Sequence, residues 1–79
     1  MKPIHPGKIR WKCRRGMLEL DMIFEKFFHE KFNCLSDEEK ALFDRFLDHP
    51  DPQLYDWLLG HERPEDPNDR RIVDRILKH

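Results

Sequence analysis

The chain has 79 residues with a formal net charge of −1, and charged side chains make up 39% of it, against about 25% in a typical protein. We expect one domain over residues 1–79, and so short a chain cannot enclose a deep cofactor cavity and keep its core, which favours a binding or helper protein over an enzyme. No apolar run approaches the roughly 18 residues of a membrane span and the N-terminal region lacks the apolar part of a secretory signal, so we expect a cytoplasmic protein without membrane insertion.

The first two predicted helices meet at Gly16. Ile9 and Cys13 are four residues apart, as on one face of a short helix, and Gly16 suits the left-handed residue that ends it. A second helix is predicted from Met17 to about Phe32, because apolar residues recur there at helical spacing. These residues are Met17, Leu20, Phe24, Phe27, Phe28 and Phe32, with Met22 and Ile23 widening the stripe. This helix is the longest and the expected spine of the core.

Capping patterns mark the starts of three further helices. Ser36 and Glu39 form a capping box, in which each side chain accepts a hydrogen bond from the other's backbone N–H. Asp51 and Asp66 each precede a Pro, which is favoured at the first position of a helix. We therefore predict that each Asp is the N-cap of a helix. The expected inward residues are Leu42, Phe43, Phe46 and Leu47, then Leu54, Tyr55, Leu58 and Leu59, and finally Ile72, Val73, Ile76 and Leu77. No segment alternates with period two, so the predicted fold class is all-α, a small bundle of about five short helices.

The fourth predicted helix carries the one ambiguous aromatic residue. Trp57 lies off the line of Leu54 and Leu58, so it either covers the core or forms an exposed contact. Gly60 follows the last apolar residue and is expected just past the end of the helix.

Reactive side chains are few. Cys13 and Cys34 are the only thiols and form no disulfide framework, so both are expected to be free. The cysteines and histidines lack the spacings typical of zinc sites, and no metal is expected. His29 and its neighbours Glu25 and Glu30 lie on a polar helix side, where histidine is usually solvated. Cys34 is a candidate nucleophile only beside a base, and inert thiols are commoner, so no catalytic residue is predicted.

Basic residues are concentrated at the N-terminus. Residues 1–16 contain six basic residues and no acidic one, whereas residues 17–79 carry a formal charge of −7. The six are Lys2, Lys8, Arg10, Lys12, Arg14 and Arg15. Trp11 lies among them, and this segment has three interpretations. It is a solvated helix, a docking face for an acidic groove of another protein, or a surface that binds phosphates and stacks against a nucleic-acid base. The acidic remainder counts against nucleic acid as a partner.

The predicted bend between the first two helices brings three different groups together. Gly16 lacks a Cβ, so another protein's backbone can approach it closely. Arg15 offers a planar guanidinium with several donors, and Glu19 places a carboxylate in the first turn of the second helix. The bend is therefore either a docking point or an ordinary helix terminus with a solvated arginine and an acid that complements the helix dipole.

This region resembles the signature of the SdhE family, small flavinylation factors whose mitochondrial relatives are succinate dehydrogenase assembly factors. The resemblance covers roughly residues 8–77 and rests on three motifs in the same order. They are Trp11-x-Cys13-Arg14-Arg15-Gly16-Met17-x-Glu19-Leu20-Asp21, Leu35-Ser36-Asp37-Glu38-Glu39-Lys40, and Asp51-Pro52-x-Leu54-Tyr55-x-Trp57-Leu58. Some members of the family are also called antitoxin CptB.

The resemblance implies a five-helix protein that binds the flavoprotein subunit of succinate dehydrogenase, and in bacteria often that of fumarate reductase. It implies that the chain promotes covalent attachment of FAD to a histidine of that partner, with FAD inserted in the partner and not held by this chain. The implied partner-binding residues are Arg15, Gly16 and Glu19, with Lys8, Trp11, Arg14 and Asp21 beside them. We expect a monomer. The alternative is a protein-binding or nucleic-acid-binding regulator, antitoxin-like, that uses the basic first helix.

Overall fold

Within residues 5–78 the fold consists of five α-helices. The computed structural model describes residues 5–78 and contains no strand in that range, which confirms the all-α prediction. Lys2 of the basic segment lies outside the described residues. The helices are α1 (Pro6–Lys12), α2 (Leu18–Lys31), α3 (Asp37–Phe46), α4 (Asp51–Leu58) and α5 (Pro67–Leu77), with a 3-10 turn at Phe32–Cys34. None of the helices in residues 5–78 is long and apolar enough to cross a membrane.

The core is an aromatic cluster centred on Phe43 of α3. Its ring packs edge-on against Phe24 and Phe27 of α2, with centroid distances of 6.3 and 5.1 Å. Further along α3, the ring of Phe46 lies 5.9 Å from that of Trp57 in α4. Trp57 is buried, so the interpretation of this residue as part of the core is confirmed. These rings join α2, α3 and α4 around one apolar centre.

Ser36 and Glu39 form the predicted capping box and also join α3 to α5. The Glu39 N–H donates to the Ser36 hydroxyl at 3.1 Å, and the Ser36 N–H donates to the Glu39 carboxylate at 3.2 Å. The same carboxylate pairs with Arg75 at 3.1 Å and with Arg71 at 3.6 Å, both in α5. The hydrogen bond from the Ser36 backbone lowers the pKa of Glu39; burial opposes this shift and the two arginines add to it.

The starts of α4 and α5 differ. Asp66 caps α5 as predicted, since its carboxylate accepts a hydrogen bond from the N–H of Asn68 at 2.8 Å. The prediction that Asp51 caps α4 is wrong, because Pro50 occupies the cap position and Asp51 is the first residue of the helix. The Asp51 carboxylate pairs instead with Arg15, in the connection between α1 and α2.

Two residues predicted to face inward are exposed. The exposed fractions of Leu59 and Leu77 are 40% and 45%. Leu59 follows the last residue of α4, and Leu77 is the last residue of α5, so both lie where the helix leaves the core. Gly60 has a φ of +81°, the left-handed conformation expected just past a helix end.

Candidate functional site at the corner between α1 and α2

Residues 13–17 connect α1 to α2, and we call this connection the corner. Gly16 has a φ of +83°, in the predicted left-handed region. The prediction that Gly16 ends α1 is wrong, because α1 stops at Lys12 and Cys13 is its C-cap. Gly16 is exposed, and a Cβ built on it would meet no heavy atom within 4 Å. The space at Gly16 is therefore open to another molecule.

Arg15 turns its side chain into the protein. Its Nε donates to Asp51 Oδ1 at 2.7 Å. Its Nη1 donates to the carbonyl oxygens of Lys12, at 3.1 Å, and Leu47, at 2.7 Å. Its Nη2 donates to the carbonyl oxygen of His49 at 2.9 Å. The guanidinium thus joins the corner to the α3–α4 turn, and the expectation that its donors face outward toward a partner is wrong.

Asp21 holds the corner from the α2 side. Its Oδ1 accepts hydrogen bonds from the backbone N–H of Arg15 at 2.6 Å and from that of Gly16 at 3.3 Å. Its own N–H donates to the Met17 carbonyl at 2.9 Å. Three consecutive residues of the corner are therefore bonded to one aspartate in the first turn of α2.

The remaining predicted partner-binding residues face solvent. Glu19, Lys8 and Arg14 are exposed and form no ion pair with another of the residues 5–78. Trp11 is 78% exposed, which is unusual for so large an apolar side chain. These four side chains can contact a partner without breaking an internal ion pair.

Lys12, by contrast, is already paired. Its ammonium group lies 2.7 Å from a carboxylate oxygen of Asp44 and 2.6 Å from one of Asp48. Partial burial lowers the pKa of Lys12, but the hydrogen bonds to these two carboxylates outweigh it and hold the pKa above its usual value. Lys12 and Arg15 are thus both neutralised by acidic residues, so the surface of α1 and the corner is less basic than the sequence suggests.

A groove of about 210 Å³ lies beside the corner, between α1 and α2. It is lined by Gly7, Arg10, Trp11, Cys13, Arg14, Asp21, Glu25, Phe28 and His29. The sequence alone did not indicate that Glu25, Phe28 and His29 line a site. Their spacing from Asp21 is that of one helix face, a pattern that could have identified them once Asp21 was assigned to the corner.

Two further apolar side chains are exposed next to the corner. Leu18 is 71% exposed and Met22 is 63% exposed, and their spacing of four residues places them on one face of α2. The prediction that Met22 belongs to the core stripe is wrong. Exposed apolar side chains among charged ones are typical of protein–protein interfaces.

The thiols and metal-ligating groups do not form a reactive centre at the corner. Both cysteines are free, Cys13 being buried and Cys34 exposed. Burial raises the pKa of the Cys13 thiol from 9.0 to about 12, so this group stays protonated at neutral pH. Within residues 5–78, no three His, Cys, Asp or Glu side chains form a cluster that could hold a metal ion. The open backbone and exposed side chains of the corner are suited to binding.

Comparison with known proteins relates nearly the full length of the chain to one family. A family described as flavinator of succinate dehydrogenase, Sdh5, matches residues 7–79. A protein of Coxiella burnetii named FAD assembly factor SdhE is 55% identical over 75 residues, which cover 95% of this chain and 92% of that protein. A protein of the same name from Shewanella oneidensis is 45% identical over 76 residues, which cover 96% and 93%. The chain belongs to this family, as its three motifs predicted.

Proposed function

We propose that this chain is an assembly factor that binds the flavoprotein subunit of succinate dehydrogenase, or that of fumarate reductase, and promotes covalent attachment of FAD to it. Family membership and the names of the relatives support this role. The structural observation that carries it is the open backbone at Gly16, beside which Glu19, Leu18 and Met22 are exposed.

FAD belongs to the partner in this proposal. The groove between α1 and α2 has a volume of about 210 Å³, which is below the roughly 300–1,000 Å³ of pockets that bury small-molecule ligands. FAD is a dinucleotide and would exceed this space. The groove therefore suits a side chain or loop of a partner protein better than a resident FAD.

The proposed mechanism is a population shift in the flavoprotein. A protein that binds one conformation more tightly shifts the equilibrium by no more than the difference in binding free energy. The favoured conformation is the one with FAD seated and the acceptor histidine aligned. Gly16 allows close backbone approach, Glu19 provides a hydrogen-bond acceptor, and Leu18 and Met22 provide apolar contact. The covalent bond forms within the flavoprotein, and no residue of this chain is catalytic.

Gly16→Arg tests the proposal, and Gly60→Arg is the matched control. Both glycines have a φ near +80°, at +83° and +81°, and neither has a heavy atom within 4 Å of an added Cβ. The two substitutions therefore impose similar backbone strain, but only Gly16 belongs to the corner. Apo-flavoprotein is incubated with FAD and each variant, and covalent flavin is measured by in-gel fluorescence.

We expect wild type and Gly60→Arg to increase covalent flavin and Gly16→Arg to leave it at the level without assembly factor. Equal labelling with Gly16→Arg and Gly60→Arg would contradict a partner contact at the corner. No increase with the wild type, for either flavoprotein, would contradict the proposed function itself.

The structure gives less support to nucleic-acid binding. The charges of Lys12 and Arg15 are paired internally, which leaves Lys8, Arg10 and Arg14 as the exposed cations of α1 and the corner. Binding to a polyanion depends on the number of phosphates neutralised by such cations. We expect no complex with DNA or RNA in a mobility-shift assay at low salt, and a salt-sensitive complex would favour this alternative.

A further inference from the structure

Two carboxylates hold the corner from two sides. Asp51 binds the Arg15 side chain at 2.7 Å, and Asp21 binds the Arg15 and Gly16 amides at 2.6 and 3.3 Å. We propose that Asp21 and Asp51 are positioning residues, which fix Gly16 and Glu19 in the geometry that the partner recognises. This inference rests on the proposed function.

Asp51 acts through Arg15. The Asp51–Arg15 pair spans 36 residues of sequence and is mostly shielded, with side-chain exposures of 31% and 16%. The guanidinium also binds the carbonyl oxygens of Leu47 and His49, so it is held at several points of the α3–α4 turn. A guanidinium held at several points has a defined orientation, because its donors form a rigid planar fork. The side chain of Arg15 therefore anchors the corner to the rest of the bundle.

Asp21 acts on the backbone of the corner. A φ of +83° at Gly16 is one of several conformations that glycine adopts readily, so the residue alone does not hold the bend. The Asp21 carboxylate stabilises this conformation by accepting charge-assisted hydrogen bonds from the backbone N–H groups of Arg15 and Gly16. Glu19 lies two residues before Asp21 in the first turn of α2, so the same contacts fix Glu19 relative to Gly16.

A corner held in this way binds its partner without first losing conformational freedom. Ordering a flexible loop during association reduces affinity, and a preorganised loop avoids that loss. Removing either carboxylate should therefore weaken partner binding, although neither is required to touch the partner. Replacing either Asp with Asn retains an oxygen acceptor and should retain much of the effect.

The test compares Asp21→Ala with Asp21→Asn, and Asp51→Ala with Asp51→Asn, in two measurements. The first is amide hydrogen exchange at Arg15 and Gly16 in the isolated chain, measured by NMR. The second is the concentration of each variant that gives half-maximal covalent flavin on the apo-flavoprotein. Two controls are Asp37→Ala, which removes an exposed acid from the first turn of α3, and Ile76→Val, which trims the core away from the corner.

We expect each Ala variant to speed exchange at Gly16 and to raise the half-maximal concentration about tenfold. Asp51→Ala loses one hydrogen bond to a charged group, and Asp21→Ala loses two. The Asn variants should stay within about threefold of the wild type, and the controls should change neither measurement even where Ile76→Val lowers the unfolding temperature.

Two results would overturn the inference. Unchanged exchange at Arg15 and Gly16 in Asp21→Ala would show that the carboxylate does not hold the corner. Asn variants as impaired as the Ala variants, with wild-type exchange, would show that the charges contact the partner directly. If the wild type itself fails to increase covalent flavin, the proposed function fails, and the exchange data still decide whether Asp21 and Asp51 hold the corner.

Discussion

The inward-facing Arg15 leads to a prediction about stability. Its guanidinium makes hydrogen bonds to the Asp51 carboxylate and to the carbonyl oxygens of Lys12, Leu47 and His49, at distances between 2.7 and 3.1 Å. Arg15→Ala removes all of them and leaves the acceptors in a region where the original side chain is 16% exposed. We count about 1 kcal/mol for each of the three carbonyl oxygens and nothing for the Asp51 carboxylate, which at 31% side-chain exposure can bind water. Arg15→Ala should therefore lower the free energy of unfolding by about 3 kcal/mol.

Arg15→Lys should recover only part of this loss. An ammonium group lacks the planar fork that reaches Asp51 and three carbonyl oxygens at once, so we expect a loss of about 2 kcal/mol. For a domain of this size, 3 kcal/mol corresponds to a decrease of about 15 °C in unfolding temperature. The unfolding temperature is measured by thermal unfolding and the free energy of unfolding by urea unfolding, both monitored by far-UV circular dichroism.

Arg14→Ala is the matched control, because Arg14 is adjacent and exposed and has no ion pair with another residue in 5–78. Its substitution should change stability by less than about 0.5 kcal/mol. If Arg15→Ala also changed stability by less than this, Arg15 would be a solvent-facing residue and its role in joining the corner to the α3–α4 turn would be refuted.

Two further predictions concern titratable groups. The pKa of Glu39 is lowered from its usual 4.5 in the folded protein, so this group contributes stability above about pH 4.5 that is lost as the pH falls through its lowered pKa. The urea midpoint, measured as a function of pH, should therefore fall less on acidification in Glu39→Gln than in the wild type. An equal fall in both proteins would contradict this. Cys13 is buried with a pKa of about 12, so at neutral pH a thiol reagent should modify Cys34 rapidly and Cys13 only on unfolding. Rapid labelling of native Cys34→Ser would disprove that.

The parts of the fold that could be predicted from sequence depend on local contacts. Ser36 and Glu39 are three residues apart, so their reciprocal hydrogen bonds follow from the pattern alone. Asp51 resembles an N-cap just as closely, but its carboxylate pairs with a residue 36 positions earlier. Propensity and spacing do not contain that distance information, so a local rule assigned Asp51 the wrong role.

The candidate site shows the same limit. The left-handed conformation of Gly16 was predicted, because few other residues adopt it without strain. The direction of the Arg15 side chain could not be predicted, because the sequence does not show that the carbonyl oxygens of the α3–α4 turn lie nearby. Likewise, Met22 matches the helical stripe but lies on its solvent side, where only the packing of α2 decides its exposure.

The motif that identifies the family therefore contains residues of two kinds. Arg15 and Asp21 hold the corner in place, whereas Gly16 is exposed in the corner and Glu19 is exposed in the first turn of α2. The two kinds should respond differently to substitution, because removing an internal hydrogen bond lowers stability, whereas truncating an exposed side chain does not. A partner-binding defect without loss of stability should thus arise at Glu19 and a combined defect at Arg15. Measuring stability and partner binding for each variant therefore separates residues that contact the partner from residues whose substitution destabilises the helical bundle.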